Sequence, residues 1–275
     1  MNTEASNNRK KLLLIAGGVV ALGVVAFVAF AVWFLQDDAP DEVAIDSAAA
    51  QVAAEADATT APTDAETEAT DAPADGTTAT EDTAGESAAP EGLDGAWTVD
   101  TSIGEFSFEE STGTFVGFRV KEELSGIGST TAVGRTPAVA GSLVIEGSTI
   151  SEVAIEADMT QLTTNDSRRD DRAQGALNTS TNPTATFVLT EPITLDDTAF
   201  AGEAVSLDAT GELTINGVTQ SVTFPLQAQL VENTIVVVGS LDVTFADYGV
   251  AVPSAPIVVS AEDHGPVELQ LFFTR

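Results

Sequence analysis

Apolar and polar residues alternate with a period of two over the C-terminal part of the chain. The clearest case is residues 205–215, where the odd positions are apolar or small and the even positions are polar. This period predicts a β-strand with one buried face. The alternation returns in residues 218–230 and 235–245, and Asn216-Gly217 between the first two segments is a strong hairpin signal. The pattern therefore predicts a meander of three long antiparallel strands.

Shorter stretches with the same alternation predict further strands elsewhere. They are residues 104–110, 114–121, 138–146, 149–158, 185–190 and 266–273. About eight long antiparallel strands with one apolar face close best as a barrel, because closure removes exposed sheet edges. We therefore predict an all-β, extended, eight-stranded antiparallel barrel, similar in shape to lipocalins. A two-sheet sandwich is the alternative.

One segment of this region does not alternate. Residues 166–177 are polar, carry Arg168, Arg169 and Arg172, and show no period of two. They predict a short polar helix or a loop between strands. A second helical turn is expected near Ala246-Asp247-Tyr248.

The N-terminal part of the chain begins with a polar tail, residues 1–11, which ends in three basic residues. Residues 12–35 follow without any charge. A helix of 24 residues would span about 36 Å, enough to cross a bilayer core of about 30 Å. With basic residues before it and Asp37 and Asp38 after it, the segment predicts a single-pass signal anchor in the cell membrane. The N-terminus would be cytoplasmic and the C-terminal domain extracytoplasmic.

A cleaved signal peptide is the competing interpretation of residues 12–35. Apolar regions of signal peptides usually have about 7–15 residues and end at a site of small residues. This segment is longer and runs into Trp33-Phe34 without such a site. The sequence therefore favours an uncleaved anchor.

Residues 36–94 form a linker of different composition. They are rich in Ala, Thr, Asp, Glu and Pro, and contain no aromatic and no basic residue. Such a segment buries too little apolar surface to offset its chain entropy, so we expect it to be disordered. The folded domain is predicted to occupy residues 95–275.

Composition excludes several kinds of function. The chain has 275 residues, no cysteine and one histidine, which excludes disulfide scaffolds, thiol nucleophiles and zinc sites with several imidazoles. A formal net charge of −33 opposes phosphate backbones, so we expect no nucleic-acid partner. No spacing of residues indicates a metal site, a cofactor or a catalytic residue.

Four motifs of the C-terminal region, taken in order, resemble those of a known family. They are Trp97-Thr98-Val99-Asp100, the Arg168-Arg169-Asp170 segment with the following Pro183-to-Phe187 strand, the Gly211-to-Thr219 hairpin, and Phe245-Ala246-Asp247-Tyr248-Gly249. Together they resemble the YceI-like domain, also called the polyisoprenoid-binding protein family. The anchor and acidic linker resemble a membrane-anchored, actinobacterial arrangement.

The resemblance implies a barrel with a long apolar cavity that binds a polyisoprenoid or another amphiphilic long-chain lipid. It implies no catalytic constellation. The chain departs from the family where a His-Leu pair usually follows the Arg-Asp pair, because Arg172-Ala173 stands there.

The inward positions of the best-patterned strands are the candidate lipid-binding residues, with two phenylalanines as neighbours. They are Phe118, Phe187, Leu213, Ile215, Val222, Phe224, Leu226, Val237, Leu241 and Val243. Arg168, Arg169 and Arg172 are candidate contacts for a lipid headgroup. Local pairing of these arginines with Asp166, Asp170 and Asp171 is the simpler alternative.

Two functions of different classes follow. The first is a membrane-tethered, non-catalytic module that holds an isoprenoid in a hollow barrel. The second is a structural or adhesive surface domain with a filled barrel that acts through its exterior. An enzyme would need a polar cluster around His264 or a close carboxylate pair, and no spacing indicates either. The sequence leaves open whether the chain is a monomer or a homodimer.

Overall fold

The computed structural model describes residues 39–60, 92–252 and 256–275. The strands are β1 (Gly95–Val99), β2 (Phe115–Leu124), β3 (Gly128–Thr136), β4 (Val139–Glu146), β5 (Thr149–Asp158), β6 (Thr163–Thr164), β7 (Thr184–Leu189), β8 (Ile193–Thr194), β9 (Val205–Ile215), β10 (Val218–Val231), β11 (Thr234–Thr244), β12 (Val258–Ala261) and β13 (His264–Thr274). The helices are α1 (Ile45–Thr60), α2 (Ser167–Ala176) and α3 (Asp197–Phe200). Two 3-10 turns cover Met159–Gln161 and Phe245–Tyr248.

Eight of these strands close into an antiparallel barrel. Their order around the barrel is β1, β4, β5, β7, β9, β10, β11 and β13, and β13 pairs back with β1. This closure confirms the predicted barrel and contradicts the sandwich. Strand β13 pairs with β2 as well as with β1. Strand β2 pairs in turn with β3, and β3 pairs with β6, so the sheet continues beyond the ring of eight strands. Strand β12 pairs with the outer part of β2.

The predicted meander is confirmed in β9, β10 and β11. Strands β9 and β10 pair without interruption from Val218 opposite Ile215 to Ala228 opposite Val205. Both residues of the Asn216-Gly217 turn have positive φ, 51° and 72°. A two-residue hairpin turn of this kind requires such angles, and Asn and Gly adopt them at low cost.

Helix α1 contradicts the prediction that the whole linker is disordered. Its side chains Ile45, Ala48 and Val52 are buried, with Ala48 fully inaccessible to solvent. They pack on the outward side chains of β11 and β13, which include Val236 and Phe272. The spacing of three and four residues places the buried positions on one helical face. An outer barrel face that is itself apolar therefore orders this part of the acidic segment.

A buried ionic group lies beside α1 on the outer face of the barrel. We call Arg119, Arg135 and Glu268 the outer arginine cluster. Arg119 Nε lies 2.8 Å from one oxygen of Glu268, and Arg135 Nη2 lies 2.8 Å from the other. The backbone carbonyl of Asp41, just before α1, accepts hydrogen bonds from both arginines. Residues outside the predicted domain therefore complete this cluster.

The segment before β2 is a covering loop, so the predicted strand at residues 104–110 is wrong. In place of the predicted strand pairing, the segment has an isolated β-bridge between Ser107 and Thr112. The loop folds over the outer arginine cluster, where the Phe108 carbonyl accepts from Arg135 at 3.0 Å. Its backbone is committed to these contacts and to turns, which leaves no regular strand pairing.

Several predictions fall on residues that the structure does not describe. The predicted membrane span at residues 12–35 and most of the predicted linker lie outside the described ranges. Within those ranges, no helix has both the length and the apolar character that crossing a membrane requires.

Candidate functional site: an apolar cavity inside the barrel

The interior of the barrel encloses a cavity of about 590 Å³. Its wall is mostly aliphatic and aromatic, and every strand of the ring except β1 contributes to it. Protein interiors are close-packed, with few voids larger than a water molecule. A cavity of this size is therefore space for a ligand, within the range of about 300–1,000 Å³ typical of small-molecule sites.

Eight of the ten predicted lining residues lie in the cavity wall. They are Phe118, Phe187, Leu213, Ile215, Phe224, Leu226, Val237 and Val243. The other two, Val222 and Leu241, pack in the cluster around Tyr248 and are absent from the wall. The period of two placed all the meander residues on the inner face, but it carries no information about how far the cavity extends along each strand.

Close contacts at Gly211 help to shape the wall. A side chain at Gly211 would meet the ring of Phe187 at 2.6 Å, so glycine makes room for that ring. Phe187 in turn packs edge-on against Phe224, with ring centroids 6.2 Å apart. The two aromatic side chains are therefore fixed by their neighbours and form a rigid part of the wall.

The sequence analysis missed wall residues on the strands with weaker alternation. These include Leu143, Val153, Ile155, Ala157, Ala185, Leu269, Leu271 and Phe273. Strands β5 and β13 carry the same period of two as the meander, so their odd positions could have been included. Leu93, Leu195 and Met159 lie in loops and turns and have no periodic signal.

The two ends of the cavity differ. At the closed end, the buried side chains of Leu93, Leu195 and Ala199 cover the interior. At the open end, the wall residues Ile127 and Ile257 are exposed, and helix α2 lies beside them. Exposed wall residues concentrate at the open end, although Glu203 is an exposed wall residue at the closed end.

Helix α2 brings the three predicted headgroup arginines to the open end. All three line the cavity. Arg168 pairs with Asp166 at 2.9 Å, as local pairing predicts. Arg169 pairs instead with Glu122 of β2, at 2.9 Å. Arg172 is exposed, and the described residues give it no ion pair.

Glu122 is the polar wall residue that the sequence did not indicate. Its side chain is 8 % exposed and points inward from β2 at the open end. The oxygen nearest Arg169 has a charged neighbour but receives no hydrogen bond. Burial raises the pKa of Glu122 above its ordinary value, and the charge of Arg169 only partly opposes this.

The raised pKa of Glu122 predicts a pH effect on stability. A folded-state pKa above the unfolded value means that the folded chain binds the proton more tightly. This contribution to stability is present below pH 4.5, the ordinary pKa of the group, and is lost as pH rises through the folded pKa. Glu122→Gln should remove this pH-dependent loss of stability, because glutamine does not ionise. The free energy of unfolding of the variant, relative to the native chain, should rise with pH in urea titrations from pH 4 to 8. A constant difference would contradict the assignment.

His264 lies outside the cavity, at the first residue of β13. Its side chain is 54 % exposed, and its Nδ1 lies 3.0 Å from a carboxylate oxygen of Asp263. The hydrogen bond with Asp263 raises the pKa of His264. The histidine thus lies at the surface beside two acidic residues, with no position in the wall.

The fold and the cavity define a class of protein: a closed, hollow antiparallel β-barrel with an apolar interior and one open end. A small eight-stranded barrel of this kind has room for one ligand. Residues 97–273 match the YceI-like domain model. The chain therefore belongs to the YceI-like domain family.

Solved structures with similar folds have low sequence identity to this chain. A polyisoprenoid binding domain from Saccharophagus degradans, implicated in plant cell wall breakdown, is 20% identical, with a TM-score of 0.48 over 66% of this chain and 99% of that one. BcnA of Burkholderia cenocepacia is 18% identical, with a TM-score of 0.45 over 57% and 95%. The YceI protein of Campylobacter jejuni is 15% identical, with a TM-score of 0.42 over 50% and 82%. No curated protein matches the chain.

Proposed function

We propose that this protein is a lipid-binding module that holds one polyisoprenoid, or a similar long-chain amphiphile, inside its barrel. The observation that carries the proposal is the cavity of about 590 Å³ with an apolar wall. An apolar cavity of this size offers hydrogen bonds to few water molecules, so an apolar chain is the ligand that gains most from occupying it. The polyisoprenoid binding named for the domain from Saccharophagus degradans supports the choice of ligand class.

Burial of the chain supplies the affinity in this proposal. Each buried methylene contributes about 0.8 kcal/mol, so a five-carbon isoprene unit contributes about 4 kcal/mol before ordering costs. The polar end of the lipid would lie at the open end of the barrel, near α2. Arg168 and Arg169 are already paired there with Asp166 and Glu122, so Arg172 is the arginine best placed to contact a headgroup.

The module acts without catalysis in this proposal and is tethered to the membrane through residues 12–35. The domain then lies outside the cytoplasm, where it carries or buffers a lipid of the envelope. A cysteine introduced at Asn233, an exposed turn residue, tests this location because the chain has no other cysteine. A membrane-impermeant maleimide should label it in intact cells, and labelling only after lysis would contradict the proposed topology.

The alternative of an adhesive domain depended on a filled barrel. The cavity removes its basis, because the interior is hollow.

A blocked cavity tests the proposal. Ala185 lies in the cavity wall on β7, and Ala154 lies exposed on the adjacent strand β5. The full chain in lipid nanodiscs would be cross-linked to a diazirine-bearing polyprenyl alcohol and digested for mass spectrometry. Ala185→Trp should reduce cross-linking to the barrel strands at least tenfold, because the indole occupies the space of the chain. Ala154→Trp should leave it unchanged.

The outcomes separate binding from folding. Thermal melting of each variant shows whether the barrel is folded, and Ala228→Trp on β10 offers a second blocked wall if Ala185→Trp does not fold. Equal cross-linking of native and folded blocked chains would overturn the proposal. So would an absence of cross-links to the barrel strands in the native chain.

A further inference from the structure

The segment that precedes the matched domain is bound to the barrel wall. The Asp41 carbonyl accepts from Arg135 Nη2 at 2.9 Å and also from Ser111 Oγ at 2.9 Å. Farther along α1, Gln51 accepts from the backbone N–H of Gly113 at 3.0 Å. Together with the buried face of α1, these contacts attach residues 41–56 along the outside of the barrel. We call this segment the strap.

The strap runs from the level of the outer arginine cluster toward the closed end. Asp41 lies at the level of Glu268, whereas Val43 borders a small groove beside Val238 and Ser240. The cluster that contains Val52 also includes Val231, the last residue of β10 before its turn to β11. The strap therefore begins nearer the open end than it finishes.

The open end carries an exposed apolar rim. Ile127 is 45 % exposed, Ile257 is 48 % exposed and Val259 is 67 % exposed. The backbone N–H of Ser125 donates to the Ile257 carbonyl at 2.8 Å, which holds β12 beside the β2–β3 turn. Ile127 and Ile257 also line the cavity, so the rim is continuous with the proposed lipid site.

The strap leaves only a short tether to the predicted membrane span. From Leu35 to Asp41 the chain can extend at most about 22 Å. Gly117 pairs with Glu268, and seven further residues of β2 lead to Leu124 near the rim, about 23 Å along the strand. Strands in such barrels tilt by about 35–45°, so the distance along the barrel axis is about 18 Å. A span anchored at residue 35 can therefore reach the plane of the rim.

We propose that the open end of the barrel docks on the lipid bilayer, and that the strap holds it there. This inference rests on the proposed tether and lipid site. The apolar rim enters the interfacial region, and the cavity opens directly toward the membrane from which the lipid comes. The partner is a bilayer surface, because the exposed rim continues into an apolar cavity and the proposed span at residues 12–35 would place a membrane within reach of the rim. In this arrangement the barrel does not stand at the end of a long stalk.

Depth measurements with single cysteines test this orientation. The chain has no native cysteine, so Val259→Cys labels the rim and Asn233→Cys labels the opposite end. Each full chain would carry an environment-sensitive dye in nanodiscs of phosphatidylcholine and phosphatidylglycerol with nitroxide-bearing lipids. Quenching at position 259 should exceed quenching at position 233 several-fold. Equal quenching, or stronger quenching at position 233, would overturn the proposal, and it is the result expected if the rim meets another protein instead.

Matched insertions test the strap without disturbing its packing. A Gly/Ser insert of about 20 residues adds a reach of roughly 25 Å. Placed after Asp38 it lengthens the short tether, and quenching at position 259 should fall to the level of position 233. Placed after Gly76 it follows the strap in the chain and should leave quenching at position 259 unchanged. An equal effect of both inserts, or of neither, would contradict the role of the strap.

Two aspartate substitutions in α1 provide a second matched pair. Ala48 is fully buried against the barrel, whereas Ala50 is exposed on the same helix. Ala48→Asp should release the strap and reduce quenching at position 259, and Ala50→Asp should not. Polyprenyl cross-linking of the native chain distinguishes the two proposals. Cross-linking without a difference in depth between positions 259 and 233 overturns the docking alone, and an absence of cross-linking overturns the lipid site.

Discussion

Replacement of Glu268 by Gln should lower the free energy of unfolding by about 3–5 kcal/mol, the usual cost of breaking a buried ion pair. Glu268 is 1 % exposed, and each of its oxygens lies 2.8 Å from a different arginine. The substitution keeps the shape of the side chain but leaves Arg119 and Arg135 as two adjacent buried cations. The Asp41 carbonyl and the ring of Phe115, 4.3 Å from the Arg135 guanidinium, cannot replace a carboxylate charge.

Urea denaturation of the full chain measures this effect. Glu212→Gln is the matched control, because Glu212 is an exposed residue of β9 and its replacement should change stability by less than about 0.5 kcal/mol. A loss of under 1 kcal/mol in Glu268→Gln would show that the outer arginine cluster is solvated in solution. The packing of the covering loop and strap would then need revision.

Affinity for polyprenyl alcohols should rise steeply with chain length until the cavity is full. Burial of each added isoprene unit contributes about 4 kcal/mol to the free energy of binding. The entropy lost when the lipid chain is ordered in the cavity is subtracted from this gain. A net gain of only 1.4 kcal/mol per unit corresponds to a tenfold increase. We therefore expect at least roughly tenfold tighter binding for each of the first added units, and a plateau once the wall from the open end to Leu195 is covered.

Competition against the photoreactive probe gives these affinities in a single assay. The Ala154→Trp variant serves as the control, because this exposed residue lies outside the wall and its replacement should leave the plateau unchanged. A flat dependence on chain length in the native protein would mean that the headgroup supplies the affinity, and attention would shift to Arg172.

The parts of the fold that could be predicted are those set by local pattern. Period-two alternation and the Asn216-Gly217 turn predicted β9, β10 and β11. Residues 166–177 lack this alternation, which predicted a short polar helix or a loop, and helix α2 forms there. These elements depend on neighbours along the chain, so their signal is present in a single sequence.

The parts that could not be predicted depend on contacts between distant segments. Helix α1 is ordered because its few apolar residues meet an apolar outer face, which average composition conceals. The spacing of Ile45, Ala48 and Val52 was a usable helical signal, although nothing in the sequence indicated its partner surface. Likewise, the covering loop is shaped by Arg135, whose position on the outer face depends on the register of β3.

The sequence predicted which side of each meander strand faces the interior, but not how far the cavity extends along the strand. Alternation identified the inner positions of the meander, yet Val222 and Leu241 pack beyond the cavity. The ion pairs of the arginines depend on tertiary structure. Arg169 pairs with Glu122, which lies about 47 residues earlier on β2, instead of with an acidic neighbour on its own helix. Which end of the barrel is open was also a question of three-dimensional packing.

The central claim is that the hollow barrel holds a lipid chain, and native mass spectrometry of the full protein tests it most directly. The chain would be released from membranes in a mild detergent, and the bound species would be extracted and identified. We predict one long-chain isoprenoid or similar amphiphile per barrel, and a loss of that mass in Ala185→Trp but not in Ala154→Trp. An empty barrel that also fails to take up added polyprenyl lipid would contradict the account.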